Sequence, residues 1–172
     1  DAGKVYWLKV HEIPEASRGA KGKALVNLLA LSSNEKVTAT LPVKEFRDDR
    51  YIVMGTKKGS IKKTELSAFS NPRQGGIIAL GLESGDKLIS VQLTDGQREI
   101  LLGTRQGLTI RFKEEEVRSM GRTAYGVKGI TLEEGNEVIG METITPDSTT
   151  SILTVTEGGY GKRTPVGEYR IQ

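Results

Sequence analysis

Apolar and polar positions alternate in short runs along this chain, and no stretch keeps a long helical period. Runs rich in Ile, Val, Leu and Thr, bounded by Gly, Asp, Asn or Ser, predict the first clear strands. These strands are Tyr51–Thr56, Ser60–Glu65, Ile77–Leu82 and Leu88–Thr94. The dipeptide Asp95-Gly96 between two such runs predicts a hairpin. The best helix candidate, KEEEVRSM from Lys113, covers one or two turns. The pattern therefore predicts an all-β fold.

The same elements return about every 50 residues. GTKKGSIKKT, GTRQGLTIRF and VTEGGYGKRT begin at Gly55, Gly103 and Val155, at spacings of 48 and 52 residues. Self-similarity of this length is typical of propeller-like arrays, whose units cannot bury an apolar face alone. We therefore predict four-stranded antiparallel blades, about three to four of them, in part of a ring or an open arc. The repeats cover roughly residues 1–50, 51–98, 99–150 and 151–172.

The composition is that of a turn-rich globular chain, with 36% hydrophobic residues, 27% charged residues and 21 glycines. The absence of cysteine excludes disulfides and thiolate metal sites and is compatible with a reducing compartment. No run of about 18 apolar residues and no signal-peptide pattern occurs, so we expect no contact with a membrane. The opening DAGKVYWLKV has no Met, which is consistent with a piece of a longer polypeptide.

Basic residues recur at matching places in the repeat, while acids such as Glu83, Glu133 and Glu137 occupy a different turn. Stacked blades would therefore align a basic stripe that suits the phosphates of duplex DNA, about one charge per 1.7 Å of axis, without reading sequence. An aromatic content of 5% favours duplex over single strands. The stripe comprises Arg18, Lys21, Lys23, Lys57, Lys58, Lys62, Lys63, Arg73, Arg105, Arg111, Lys113, Arg122, Lys128, Lys162 and Arg163.

Two other interpretations of these lysines remain open. Lysines on exposed strand edges also prevent edge-to-edge aggregation, so GTKKGSIKKT is either a contact surface or a solvated edge. A propeller that acts as a scaffold for protein partners would instead carry apolar or aromatic loop tips. If the contact hypothesis holds, reversing the charges of Lys57, Lys58, Lys62 and Lys63 should weaken DNA binding with little loss of folding.

The sequence contains no constellation of catalytic or metal-binding residues. His11 is the only histidine, the run Glu114–Glu116 has the character of a solvated turn, and no GxSxG or P-loop motif occurs. Tyr125 and Tyr160 lie in glycine-rich turns with no neighbouring residue that would activate them. We therefore expect a binding module rather than an enzyme, with no catalytic residue, no metal and no cofactor of its own.

Four segments carry a resemblance to a known family: EIPEASRGAKGKALVNLLAL, KVTATLPVKEF, VRSMGRTAYGVKGITLEEGNEVIGM and GGYGKRTPVGEY. In this order they resemble the C-terminal domain of DNA gyrase A over essentially the whole chain, with the corresponding domain of topoisomerase IV as the nearest alternative. The resemblance implies a β-pinwheel of about six blades with strands exchanged between neighbours. It also implies that duplex DNA wraps around a basic outer rim and that the wrap supports ATP-dependent negative supercoiling.

The resemblance further implies bacterial cytoplasm, and as partners the rest of gyrase A, together with gyrase B, in a heterotetramer. ATP and Mg²⁺ would belong to other parts of that holoenzyme. The family's Q-R-R-G-G-x-G box, needed for full wrapping, does not occur here, and SRGAKGK resembles the corresponding loop of the following blade. We expect the chain to begin downstream of the box, so DNA binding is implied, while wrapping and the choice between gyrase and topoisomerase IV stay open.

Overall fold

The computed structural model describes all of residues 1–172 as short strands joined by glycine turns and single 3-10 turns. The strands are β1 Lys4–Val5, β2 Tyr51–Thr56, β3 Ser60–Glu65, β4 Ile77–Ile78, β5 Leu88–Thr94, β6 Glu99–Thr104, β7 Thr109–Lys113, β8 Val127–Lys128, β9 Val138–Ile144, β10 Ser151–Val155 and β11 Gly161–Pro165. The 3-10 helices are Val10–Glu12, Leu25–Asn27, Leu66–Phe69, Glu114–Glu116 and Val166–Glu168. None of these helices has the length and apolarity needed to cross a bilayer.

The strands form four antiparallel sheets, which confirms the predicted all-β class. Two sheets make up most of the molecule, in the orders β5-β2-β3-β8 and β7-β6-β9, and β1-β4 and β10-β11 are two-stranded. The predicted bounds of β2, β3 and β5 are confirmed, whereas the predicted strand at Ile77–Leu82 is shorter and ends at Ile78. The helix candidate at Lys113 is a single 3-10 turn.

The β5-β2-β3-β8 blade combines strands from two consecutive repeats. β2 and β3 form a hairpin, β5 of the same repeat pairs with β2, and β8 of the following repeat pairs with the outer edge of β3. β4 pairs with β1 in the same way one unit earlier. Blade boundaries in space therefore do not coincide with repeat boundaries in sequence.

The hairpin predicted at Asp95-Gly96 is wrong, although the turn itself is present. Gly96 has a φ of 85°, and the Asp95 carboxylate accepts a hydrogen bond from Gln97 N at 3.2 Å. The flanking strands nevertheless diverge, because β5 pairs with β2 while β6 pairs with β7 and β9. This turn carries the chain from one blade to the next.

The hydrophobic core lies between successive sheets and covers both faces of the β5-β2-β3-β8 blade. Ile52 and Met54 of β2 join one buried cluster, with Leu66, Phe69 and Leu80. The alternate residue Val53 joins a second cluster, which the neighbouring sheet completes with Ile100, Leu102, Val138 and Met141. A strand in the middle of this stack is therefore buried on both sides, as β3 is over four consecutive residues.

Residues 37–43 have the apolar alternation of β5 and β9 but form no β-ladder. Leu41 and Val43 pack instead against the cluster that contains Ile52. Thr38 Oγ1 donates a hydrogen bond to the carbonyl of Leu88 at 3.4 Å. Residues 37–43 are thus attached to the next unit by packing and a side-chain hydrogen bond rather than by a β-ladder.

Candidate nucleic-acid interface

Three glycine-rich connections carry basic side chains at equivalent points of successive units. Each connection follows a 3-10 turn and reaches a left-handed glycine, with φ of 70° at Gly22, 73° at Gly76 and 91° at Gly126. Their predicted DNA-contacting side chains form no ion pair and are exposed, except that Arg122 is half-buried. These side chains are Arg18, Lys21, Lys23, Arg73, Arg122 and Lys128.

The best-anchored connection is residues 121–126, called the 121–126 loop below. Met120 N donates to the carbonyl of Lys63 at 2.8 Å before the loop, and Val127 pairs with Ile61 after it. Gly81 N of the preceding unit donates to the carbonyl of Ala124 at 3.0 Å. β3 and the chain after β4 therefore hold the loop from both sides.

A glycine is required where this loop meets β3. Gly126 has a φ of 91°, and a Cβ built on it would lie 2.6 Å from the carbonyl oxygen of Ile61. No L-side chain fits at that distance, and the left-handed conformation is costly for any other residue. The close approach fixes where the loop crosses the strand, and hence where Arg122 lies.

Three predicted DNA contacts, Lys62, Lys63 and Arg111, are contradicted by the structure. Their residues are 0%, 7% and 8% exposed, so their charged groups do not face solvent. The physical reason is the stacking described above, because both faces of each central blade are covered. The expectation that reversing the Lys57, Lys58, Lys62 and Lys63 charges would leave folding intact is wrong for the same reason, since a reversed charge at a buried site lacks any partner.

Lys63 and Arg111 occupy the same position in two successive repeats and join their blades in the same way. Lys63 Nζ donates to the carbonyl of Glu114 at 2.9 Å. Arg111 Nη1 donates to the carbonyl of Val166 at 2.8 Å, and Val166 is the repeat equivalent of Glu114. Arg111 also forms a buried ion pair with Glu99. Both side chains therefore connect each hairpin to the following repeat.

The Lys62 ammonium group donates to the carbonyls of Ala79, at 2.7 Å, and Arg122. No carboxylate pairs with it. Burial, with a smaller contribution from the positive charge of Arg122, lowers the pKa of Lys62 to about 8.

Lys57 and Arg105 are neutralised on the surface by acids. Lys57 Nζ lies 2.6 Å from Glu137 Oε2, while Arg105 lies 3.7 Å from Glu137 and 3.2 Å from Glu157. The hydrogen bond from Lys57 is the main cause that holds the pKa of Glu137 below its ordinary value. These four side chains form a charge ladder across three repeats. The ladder leaves Lys57 and Arg105 less available for phosphate than the loop residues.

The remaining predicted contacts lie at the surface with differing freedom. Lys113 is paired with Glu115 at 3.5 Å, and Lys58 Nζ donates to the carbonyl of Ser84 at 2.7 Å. Lys162 and Arg163 are exposed. The sequence analysis did not include Arg118 and Arg170 among the candidate DNA contacts. Both are exposed and form no ion pair. They lie at equivalent positions of two repeats, each directly after the residue that anchors the 3-10 turn. That recurrence is the signal that could have identified them.

The structure places no group of three or more His, Asp or Glu side chains where they could hold a metal ion. A surface depression of about 410 Å³ is a groove between two units, lined by Lys58, Glu83, Asp86, Tyr125 and Lys128, among others. Tyr125 is 60% exposed and lies against Gly81, with a built glycine Cβ 3.1 Å from its ring. The groove thus places an aromatic edge and two lysines beside the basic loop surface, together with the two acids Glu83 and Asp86.

Comparisons with known proteins agree with this architecture. The family model described as "DNA gyrase C-terminal domain, beta-propeller" matches residues 1–44, 50–95, 98–145 and 150–172. The DNA gyrase A protein of Salmonella typhimurium is 51% identical over 97% of this chain, and that of Staphylococcus aureus is 46% identical over 98%. The chain spans only 19% of the length of each of these relatives.

Two solved structures share the fold. The crystal structure of the C-terminal domain of DNA topoisomerase IV superimposes with a TM-score of 0.91 at 30% identity, covering 99% of this chain and 53% of that one. The DNA gyrase A C-terminal domain superimposes with a TM-score of 0.81 at 24% identity, covering 99% and 54%. The four matched segments account for nearly every residue, and the chain therefore belongs to the DNA gyrase C-terminal domain family of β-propellers.

Proposed function

We propose that this chain binds duplex DNA along its glycine-rich connections without reading base sequence. One observation carries the proposal: exposed or half-buried basic side chains without carboxylate partners occur in the same glycine-rich connection of three successive units. Buried or ion-paired bases lie elsewhere in the repeat. Lys and Arg contacts to phosphate supply most of the affinity of sequence-independent binding.

Wrapping follows from the arrangement as a second step of the same proposal. Smooth bending of 20–30 bp of duplex costs of order 1–6 kcal/mol, so contacts must be spread along the curve. Basic loops repeated at the period of the blades supply that spread. Wrapping by this chain would support ATP-dependent negative supercoiling by a gyrase holoenzyme, in which this part itself is non-catalytic.

The DNA gyrase A relatives support this assignment, with the rest of gyrase A, together with gyrase B, as partners in a heterotetramer of the bacterial cytoplasm. ATP and Mg²⁺ would act in parts of that assembly outside this chain. The structural match to topoisomerase IV supports that enzyme as the alternative setting. A scaffold for protein partners is a second candidate, favoured by the exposed aromatic loop residues Tyr125 and Tyr160, which are 60% and 82% exposed.

The test is binding to a duplex of about 40 bp across a salt series, with a loop variant and a matched control. For the double variant Arg73→Gln/Lys128→Gln we expect weaker binding. The slope of log K against log salt concentration should become smaller by up to about 0.9 for each lost phosphate contact. Arg47→Gln removes an exposed arginine that is already paired with Asp49 at 2.6 Å, and it should change neither quantity. Salt-insensitive binding, or none at low salt, would contradict the proposal and favour the scaffold.

A further inference from the structure

Lys62 is a buried cation without a counter-ion, directly beneath a loop assigned to DNA contact. It lies on β3 between Ile61, which pairs with Val127, and Lys63, whose carbonyl accepts from Met120 N. The 121–126 loop thus starts and ends beside the two neighbours of Lys62. The loop arches over the Lys62 amine, which donates to the carbonyl of Arg122 inside it.

The same amine also connects the loop to the preceding unit. Lys62 Nζ donates to the carbonyl of Ala79 at 2.7 Å, and Arg122 Nη1 donates to the carbonyl of Ile78 at 3.4 Å. One ammonium group therefore joins three segments: β3, the chain after β4, and the loop. The repeat equivalents of Lys62 are Tyr6, Ile110 and Lys162, and none of them is a buried amine.

We propose that Lys62 is a positioning residue for the 121–126 loop and obtains its missing counter-charge from a phosphate bound at Arg122, so that phosphate binding is coupled to protonation of this amine. The inference rests on the proposed function, because it takes the phosphate to be that of duplex DNA. Ala79 and Arg122 supply only carbonyl dipoles, which satisfy hydrogen bonds but not a net charge.

The protein itself offers no negative charge that could act as the counter-ion of Lys62. Across β2 the residue that pairs with Lys62 is Met54, and residues 77–81 contain no titratable side chain. The loop brings Arg122 and exposed Tyr125, and β8 brings exposed Lys128. Lys63, the next residue of β3, bonds to Glu114 O, and alternation along a strand directs it to the other face. The groups around the amine are therefore neutral or positive, and a phosphate would be the first anion beside it.

The direction of the coupling follows from the lowered pKa of Lys62, about 8, which burial and then the charge of Arg122 cause. A phosphate at Arg122 offsets that positive charge and adds a negative one, so the pKa of Lys62 rises in the complex. A pKa that is higher in the complex means that binding takes up a proton at pH values above about 8. DNA affinity must then fall as pH rises above 8.

The experiment compares wild type with Lys62→Gln, whose amide still has two hydrogens to donate but no charge. Duplex affinity is measured at fixed salt from pH 7 to 9.5, and proton uptake is measured by calorimetry in two buffers of different ionisation enthalpy. Wild type should lose affinity above pH 8 by up to about tenfold per pH unit, the limit for one proton. Lys62→Gln should lose markedly less. Burial also lowers the pKa of the α-amine of Asp1. Because both proteins contain this amine, its contribution to the pH dependence cancels when the two are compared.

Two controls separate this inference from the proposed function and from misfolding. Lys128→Gln removes an exposed charge nearby and should weaken binding while keeping the wild-type pH profile. Lys62→Met keeps the apolar stem if Lys62→Gln does not fold. Identical pH dependence in wild type and the Lys62 variants overturns the inference.

Failure of all proteins to bind DNA would refute the proposed function, and hydrogen exchange without DNA would then decide the role of Lys62. The pKa of Lys62 is lowered while the 121–126 loop covers its amine, so this arrangement of the loop favours the neutral amine. Protection of the Gly81 amide should therefore rise above pH 8 in wild type but not in Lys62→Gln. Equal protection in both would overturn the inference.

Discussion

Lys62 and Lys63 are neighbours in sequence that point to opposite faces of β3, as alternation along a strand requires. Lys62 reaches the carbonyls of Ala79 and Arg122, and Lys63 reaches the carbonyl of Glu114 while its Nζ lies 5.3 Å from the centre of the Tyr51 ring. Two basic residues that suit a solvated edge thus stabilise two different blade contacts.

The buried pair of Arg111 and Glu99 gives a stability prediction. In Arg111→Met we expect a loss of about 3–5 kcal/mol in the free energy of unfolding, because Glu99 is left charged and unpaired in the interior. Urea denaturation measures it. The double variant Arg111→Met/Glu99→Met should recover part of the loss.

Lys113→Met is the matched control for this prediction. Lys113 lies on the same strand and forms an exposed ion pair with Glu115. Its loss should stay within about 0.5 kcal/mol, as for most surface substitutions. Equal losses in Arg111→Met and Lys113→Met would contradict a structural role for the buried pair.

Glu137 gives a pH prediction with a definite sign. The hydrogen bond from Lys57 holds the pKa of Glu137 below its ordinary value of 4.5, so its contribution to stability is present above that value and is lost as pH falls through the folded-state pKa. Glu137→Gln should therefore lower the urea midpoint at pH 7, and the difference should diminish as the pH falls below 4.5 and through the folded-state pKa of Glu137. Glu134, exposed and unpaired, is the control, and Glu134→Gln should show no such pH-dependent difference.

At the scale of elements, the left-handed glycines test how blades approach each other. Gly59 and Gly107 occupy the same hairpin position with φ of 88° and 87°, but a Cβ on Gly59 would lie 2.9 Å from Ile130, whereas Gly107 faces open space. Alanine at either costs roughly 1–3 kcal/mol of backbone strain. Gly59→Ala should cost clearly more in urea denaturation, because Ile130 of the next unit must also move. Equal costs would show that the close approach adds nothing.

The positions of the strands could be predicted from the sequence, but the partner of each strand in the sheets could not be predicted as fully. β2, β3 and β5 follow from local alternation and turn residues, whereas the separation at Asp95-Gly96 depends on which neighbour each strand meets. The burial of Lys62 and Arg111 was missed for a related reason, because an exposed polar face is the rule only for a sheet with one covered side. The loop residues Arg73 and Lys128 were predictable as exposed, since turns between units stay at the surface.

At the scale of the whole molecule, one cluster joins two blades and should make them unfold together. Met141 of β9 packs with Val53 and Ile61 of one sheet and with Ile100 of the other. Met141→Ala should cost about 2–5 kcal/mol and lower amide protection in β2 and β6 alike, measured by hydrogen exchange. Ile139, on the same strand but 61% exposed, is the control, and Ile139→Ala should leave both strands protected. A loss confined to β6 would show independent blades.

The exchange of strands between repeats has a consequence for how such a chain can change in length during evolution. The unit of residues 51–98 gives the short strand β4 to the unit before it and receives β8 from the unit after it. Duplication or deletion of one whole period of about 50 residues therefore leaves every remaining donor with a matching acceptor. An insertion of half a period would leave strands without partners. We expect related domains to differ by whole numbers of blades, with each change altering the arc and the length of any polymer bound along it.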